Sequence, residues 1–451
     1  MPCRRIEPCR AASRLAPLLL LAAALLRPGP AAADDNGGKP EREVTPIGQV
    51  RVRPEFRDNA DFDQDRPDRQ RFIGQRTRLG LDVRVNPELE GRVLAQDTRI
   101  WGVDEGGTGA TGTEKQAFDL LEGYADLRWI WDLPLDLRLG RQQLGFGRER
   151  LVGALDFGSS ARTFDAYKLH FAMGSVLLDL FSAKLVDTNA PRPDTTLLRS
   201  DRDRNFSGVY LAREGDRPER VELYWLRDID KTRNVRPSEI KRHTLGTLVR
   251  YPLPASFTLE AEYAYQTGEA SDSLDIAAQM LAAELAFSRK DVRDLKAAAG
   301  FDWATGDDDP ADGKLETFNQ LFPTGHAHLG FIDYVGRQNI QDFRGQVGAR
   351  LVKSLSGTVF VHVFRLDQAQ DAWFNAAGAV LAAGGRTFGP DPGRTARDLG
   401  NEVDVLFRFS GFEGAQVEGG YSRFFAGDVV SAGGFPADDS DWVYVQMKVD
   451  L

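Results

Sequence analysis

About eighteen segments of alternating polar and apolar residues follow one another along this chain, and the connections between them are by turns tight and long. A period of two sends successive side chains to opposite faces of a strand, so each segment presents one wet and one greasy face. The last segment shows this most cleanly: Val443, Val445, Met447, Val449 and Leu451 share one face, Tyr444, Gln446, Lys448 and Asp450 the other. So many two-faced strands in one continuous run, with no linker between them, are satisfied by closing into a barrel with hydrocarbon outside and water inside. The expected fold class is all-β: a transmembrane antiparallel β-barrel of about 18 strands, with short periplasmic turns and long extracellular loops. The Ala-rich stretch Ile276–Phe287 is the weakest of these strands and could be helical.

The connections support this reading. Asn86-Pro87, Met173-Gly174, Pro252-Leu253-Pro254 and Gly411-Phe412 carry turn chemistry, whereas 58–69, 187–203, 305–341 and 367–401 are long, polar and rich in Gly or Asp. Trp129, Trp131, Tyr263, Tyr265, Phe407, Phe409, Tyr421 and Phe425 fall near strand ends on the apolar side, as aromatic girdles do at a membrane interface.

The chain's first residues specify the compartment. Arg4, Arg5, Arg10 and Arg14 precede an apolar run from Leu15 to Leu26, and Ala31-Ala32-Ala33 supplies small residues for cleavage, so residues 1–33 read as a secretory signal peptide. The run is too short for a spanning helix, which takes roughly 20 residues. Residues 34–46 are expected to form a short periplasmic segment and 47–451 the barrel. Cys3 and Cys9 both lie in the signal, which excludes disulfides and thiol chemistry from the remainder. Removing its five Arg and one Glu takes the net charge from −10 to −14, a balance that argues against nucleic acid as a partner. Among 57 basic residues only 11 are Lys; the 46 Arg suit carboxylate recognition, and codon usage would produce the same bias.

Alternation assigns the charges to the inside, because an Arg on the lipid face near the midplane costs about 2–4 kcal/mol. The candidate pore-lining residues are Arg51 and Arg53 on the first strand, Arg76, Arg78 and Arg84 on the second, Arg138 on the fifth, Arg344 and Arg350 on the fourteenth, and Glu402, Asp404 and Arg408 on the sixteenth. Such rows either meet solute or brace the wall.

Several separated motifs, in order, resemble the alginate-export family of outer-membrane proteins: LRLGRQQLGFGRERLVG (137–153), RTFDAYKL (162–169), AEYAYQTG (261–268), the long segment from Trp303 to Asp342, and LGNEVDVLFRF (399–409). The resemblance implies an eighteen-stranded monomeric barrel that passes an anionic polysaccharide or a smaller acidic or sugar solute through an Arg-rich constriction shaped by inward-folded loops. It adds Arg141, Gln142, Arg162 and Asp165 as pore-wall candidates and 146–161 as an inward-folded loop. Partners on this reading are outer-membrane lipid, the anionic sugar or polysaccharide, and periplasmic export proteins.

Other chemistry has less support. His326 and His328 with Asp333 could hold a metal; Asp307, Asp308, Asp309 and Asp312 resemble a calcium loop, but Pro310 interrupts it and a matching Glu is missing. Ser159 and Ser160 have no histidine placed for a hydrolase triad. No cofactor, metal site or catalytic residue is expected. The competing readings are a general diffusion porin without anion preference and an outer-membrane hydrolase.

Overall fold

A computed structural model describes residues 42–451 apart from 67, 103–116, 187–203, 214–218 and 232–238; the signal-peptide reading lies outside the described residues. Eighteen long strands make the wall. In chain order they are β1 (Glu43–Asp58), β2 (Gln70–Asn86), β3 (Leu89–Trp101), β4 (Ala117–Leu127), β5 (Leu135–Gln142) and β6 (Phe164–Met173). Next come β7 (Val176–Leu185), β8 (Arg204–Arg213), β9 (Arg220–Asp230), β10 (Ile240–Leu253), β11 (Phe257–Ser271) and β12 (Leu274–Arg289). The last six are β13 (Leu295–Ala304), β14 (Ile340–Val352), β15 (Leu355–Leu366), β16 (Asp398–Phe412), β17 (Ala415–Ala426) and β18 (Ser440–Asp450). Strand β1 opens at Glu43, inside the stretch 34–46 expected to precede the barrel. The Ala-rich segment is strand β12, its two faces claimed by lipid and by the interior.

Each strand pairs antiparallel with its chain neighbours, and β18 pairs with β1 to close the cylinder, with Gln49 opposite Asp450 and Arg57 opposite Trp442. Closure leaves no sheet edge, so every strand's backbone is satisfied without water. Leu79, Val93, Phe118, Tyr167, Leu223, Val347 and Val445 project outward and are exposed, forming the apolar belt. Trp129, Trp131, Tyr263, Tyr265, Phe407, Tyr421 and Phe425 are likewise exposed on that outer surface.

The core lies inside the cylinder. At the long-loop end the inward faces of β6, β7 and β8 carry Phe164, Phe181 and Phe206, and Phe322 from the 305–339 loop packs on Phe206 with ring centroids 4.8 Å apart. The 367–397 loop adds Trp373, stacked against Phe62 and Phe424 and donating its indole N–H to the Tyr334 carbonyl at 2.9 Å. Loops therefore fill part of the upper barrel with apolar side chains, while the outward positions of the wall there, Asp165, Ser182, Lys184 and Asn205, are polar.

Candidate functional site

Two inward loops narrow the lumen. The 143–163 loop turns its tip toward β1 and β2, where inward-facing arginines collect its carbonyls. Arg51 donates to the carbonyls of Asp156, Phe157 and Gly158 at 3.2, 2.7 and 2.9 Å. Arg53 donates to the Phe157 carbonyl at 2.7 Å and lies 4.3 Å over the Phe157 ring. Arg76 reaches the Asp156 carbonyl at 2.8 Å and its carboxylate at 3.2 Å, and Arg78 reaches that carboxylate at 2.6 Å. Burial disfavours the Asp156 carboxylate, but the positive charges of Arg76 and Arg78 outweigh it and hold the group below the usual carboxylate range. The expected inward loop is thus in place, and Arg51, Arg53, Arg76 and Arg78 anchor it.

The 305–339 loop lies against the first one. Val152 and Phe322 form a parallel bridge, with Phe322 N–H donating to the Leu151 carbonyl at 2.8 Å and Gly153 N–H to the Phe322 carbonyl at 2.8 Å. Arg162 ties the two loops through the carbonyls of Gly153 and Pro323, at 3.1 and 2.9 Å; burial lowers its guanidinium to about 10, still charged at neutral pH. The far end of the loop docks on β16, where Glu402 accepts the N–H groups of Phe331 at 2.6 Å and Ile332 at 3.0 Å. Gly330 has φ +81°, and a Cβ there would sit 2.6 Å from the Glu402 carboxyl carbon, so only glycine allows this approach.

Between the loops and the β12–β15 wall remains a cavity of about 80 Å³ lined by Arg148, Arg150, Glu284, His328, Arg344 and His362 among others. Arg150 pairs with Glu260 and Glu262 at 3.1 and 3.0 Å, Arg344 with Glu284 at 3.0 Å, and Arg148 with Glu260 at 3.2 Å. Arg148 is the one of these three arginines that stays half exposed. Arg337, buried and ion-paired with Asp302, has its guanidinium pushed down to about 9 by burial, with Arg150 adding repulsion. Sequence reasoning missed Arg148, Arg150 and Arg337 because they sit in loops, where period two gives no direction; the alternate arginines of GRERL were the available signal.

A second cleft, of about 230 Å³, opens on the inner wall at the short-turn rim. Lys296, Arg350, Lys353 and Arg408 line it, with Asp294 as its single acid. Arg350 pairs with Asp294 at 3.1 Å and Arg408 with Glu418 at 2.6 Å, while all four basic residues remain exposed to water.

The remaining sequence candidates divide. Arg84 pairs with Glu90 and Glu43 at the same rim, and Arg138 forks onto Asp126 at 2.7 and 2.8 Å; both face inward as expected. Arg141 and Asp165 correct the pore-wall expectation: they pair with each other at 2.8 Å on the outer face, in line with Leu139 and Tyr167. Arg141 and Gln142 are adjacent, so strand geometry sends them to opposite sides. Gln142 faces inward but is 0% exposed and bonded to the Gly140 and Ala166 carbonyls, and Glu402 and Asp404 are also 0% exposed, so none of the three is within solute reach. His326 stacks between Phe157 and Phe331, and His328 donates to the Arg148 carbonyl, so the two histidines do not form a metal pair. Burial pushes the His328 imidazole well below its ordinary value. No group of three or more His, Cys, Asp or Glu able to hold a metal occurs among the described residues.

The profile of the alginate-export family matches residues 44–443, nearly the whole barrel. The chain belongs to the alginate-export family. Solved outer-membrane barrels share its fold. OccAB1 of Acinetobacter baumannii superimposes with a TM-score of 0.62 at 11% identity, over 92% of this chain and 98% of that one. The outer membrane protein OprD of Pseudomonas aeruginosa gives 0.56 at 11%, over 92% and 95%, and OccK11 (OpdR) of the same organism 0.53 at 12%, over 90% and 96%. No curated protein matches the chain. Family, closed barrel and apolar belt together make this member of the alginate-export family a channel of the bacterial outer membrane.

Proposed function

We propose that this channel passes an anionic polysaccharide or a smaller acidic sugar passively, as a monomer and without catalysis, the solute moving down its gradient. The observation that carries this reading is the water-exposed basic cleft at the short-turn rim, where Lys296, Arg350, Lys353 and Arg408 face a single lining acid. At an effective dielectric of 20 a charge pair near 4 Å is worth about 4 kcal/mol before desolvation. Several weak basic contacts in succession, from this rim to the half-exposed Arg148, would draw an anion inward without trapping it.

One feature favours a general diffusion porin instead. Most lumen arginines are matched by carboxylates, as in Arg204 and Arg242 on Asp228 or Arg92 on Asp82 and Glu122. Such clusters, three arginines against three acids in these two examples, brace the wall and leave little net field. Single-channel recording with uronate oligomers and neutral oligosaccharides separates the two readings. The anion channel predicts blocking events with uronates alone, and Lys353→Glu combined with Arg350→Glu should weaken the block by about tenfold, the equivalent of 1.4 kcal/mol. Equal passage of neutral and acidic sugars would overturn the preference. Arg78 is unsuited to this test, because it is committed to Asp156 and Gln96.

A further inference from the structure

We propose that Glu402, Asp404 and Ser422 bind one hard divalent cation of the calcium class, which fastens the 305–339 loop to the barrel wall. Glu402 and Asp404 lie two apart on β16 and share its inward face, and Ser422 on β17 stands directly opposite Asp404 in the ladder. All three are 0% exposed. Four of their oxygens, Glu402 Oε2, both Asp404 carboxylate oxygens and Ser422 Oγ, receive no hydrogen bond from any donor, and the two carboxyl groups lie within hydrogen-bonding reach of each other. Across the ladder Asp404 faces Phe360 on its other side, which offers nothing to an anion.

Removing a carboxylate from water costs several kcal/mol, and two adjacent ones repel each other as well. A divalent ion balances both charges. The donor set is all oxygen, which suits calcium and its kin and excludes metals that select nitrogen or sulfur. Unlike the acidic stretch at Asp307–Asp312, this cluster is fully buried, and its unpartnered hydroxyl stands opposite Asp404 on the adjacent strand.

The site is mechanically coupled to the loop through Glu402, whose other oxygen, Oε1, accepts the Phe331 and Ile332 N–H groups. An ion on one oxygen fixes the carboxylate that holds the loop with the other, so occupancy adds stability by mass action. Loss of the ion would loosen the 305–339 loop and change the lumen cross-section.

The test uses the full-chain barrel, stripped with EDTA and reconstituted in phosphatidylcholine or detergent. Calcium titration by calorimetry should show one saturable site, and terbium should luminesce on excitation of tryptophan, since Trp442 neighbours Ser422 in the ladder. Calcium should raise the unfolding midpoint, and EDTA should increase open-channel noise. Asp404→Asn should weaken binding by about tenfold or more. Ser422→Ala, too small a change to prevent folding, should weaken it in the same direction. Absence of a saturable site, or titrations of both variants identical to the unsubstituted protein, would overturn the proposal; in the second case the ion sits elsewhere.

Discussion

The two inward loops are held by opposite halves of the peptide group. The 143–163 loop offers carbonyl oxygens to Arg51, Arg53 and Arg76 and the Asp156 carboxylate to Arg78, four arginines on two adjacent strands. The 305–339 loop offers N–H groups at its docking end, and a single carboxylate, Glu402, takes both. An arginine has five donors on a long side chain and can share a target with its neighbours, so the first anchor is redundant. A carboxylate accepting two consecutive N–H groups fixes the backbone at one place, and here it also requires glycine at position 330. The first anchor should fail by degrees and the second all at once.

Gly330→Ala is the severest probe of that contrast. The φ of +81° disfavours any side chain, and the added Cβ would press on a carboxyl that is fully buried and has nowhere to retreat. Strain and loss of the two charge-assisted hydrogen bonds together should cost about 3 kcal/mol. Thermal unfolding in detergent should show the lowered midpoint, and single-channel records a wider or noisier pore. A midpoint and conductance equal to those of the unsubstituted protein would mean the loop does not depend on this contact.

Arg76→Ala should cost less, about 1–2 kcal/mol, because Arg51, Arg53 and Arg78 still hold the same tip. Redundancy makes a sharper claim about pairs. Combining Arg51→Ala with Arg76→Ala should destabilise by more than the two single losses together, since the second removal exposes what the first left covered. Strict additivity in this double-mutant cycle would show that the arginines act independently and remove the distinction between the loops.

Protonation distinguishes the anchors more gently. The Asp156 carboxyl lies below its ordinary value when folded, so its contribution is present above the unfolded value near 4. It is lost only as pH falls through the lower folded value. Asp156 is half exposed, so the effect should stay below about 1 kcal/mol. Conductance noise should therefore be flat from pH 8 to about 4 and rise below that, with Asp156→Asn abolishing the difference. A transition near neutral pH would contradict the assignment.

What the sequence disclosed follows from the two solvents. Lipid and water impose opposite demands on alternate residues, which is why the strands are legible in the sequence, least clearly the Ala-rich β12, whose small side chains carry a weak contrast between faces. Alternation alone misleads where loops make the interior apolar and the outward neighbours, Asp165, Ser182, Lys184 and Asn205, are polar. Phe164, Phe181 and Phe206 face inward only because loops pack there, and no local pattern announces a loop arriving from more than a hundred residues away, as Phe322 does. For the same reason Arg150 and Arg337 were not legible, while Arg76 and Arg78 were seen as inward but not as anchors of the loop tip. Arg141 was misplaced by reading a motif as a unit when a strand splits it between two faces.

The smallest predicted effect bears on that last point. Arg141 lies with Asp165 and Asp119 near the long-loop end of the outer surface, with pair distances of 2.8 and 3.3 Å. Near the interface a lipid-face charge costs only about 0–1 kcal/mol, and a partly exposed pair returns a similar amount. Arg141→Ala should thus change stability by less than about 0.5 kcal/mol and leave conductance and uronate block untouched. Lys353→Glu at the basic rim should shift the block, so the two substitutions probe one basic residue each on opposite faces of the same wall. If Arg141→Ala altered the block while Lys353→Glu did not, inside and outside would have to be exchanged for β5, and with it the phase of β4 and β6, which the ladder ties to it residue by residue.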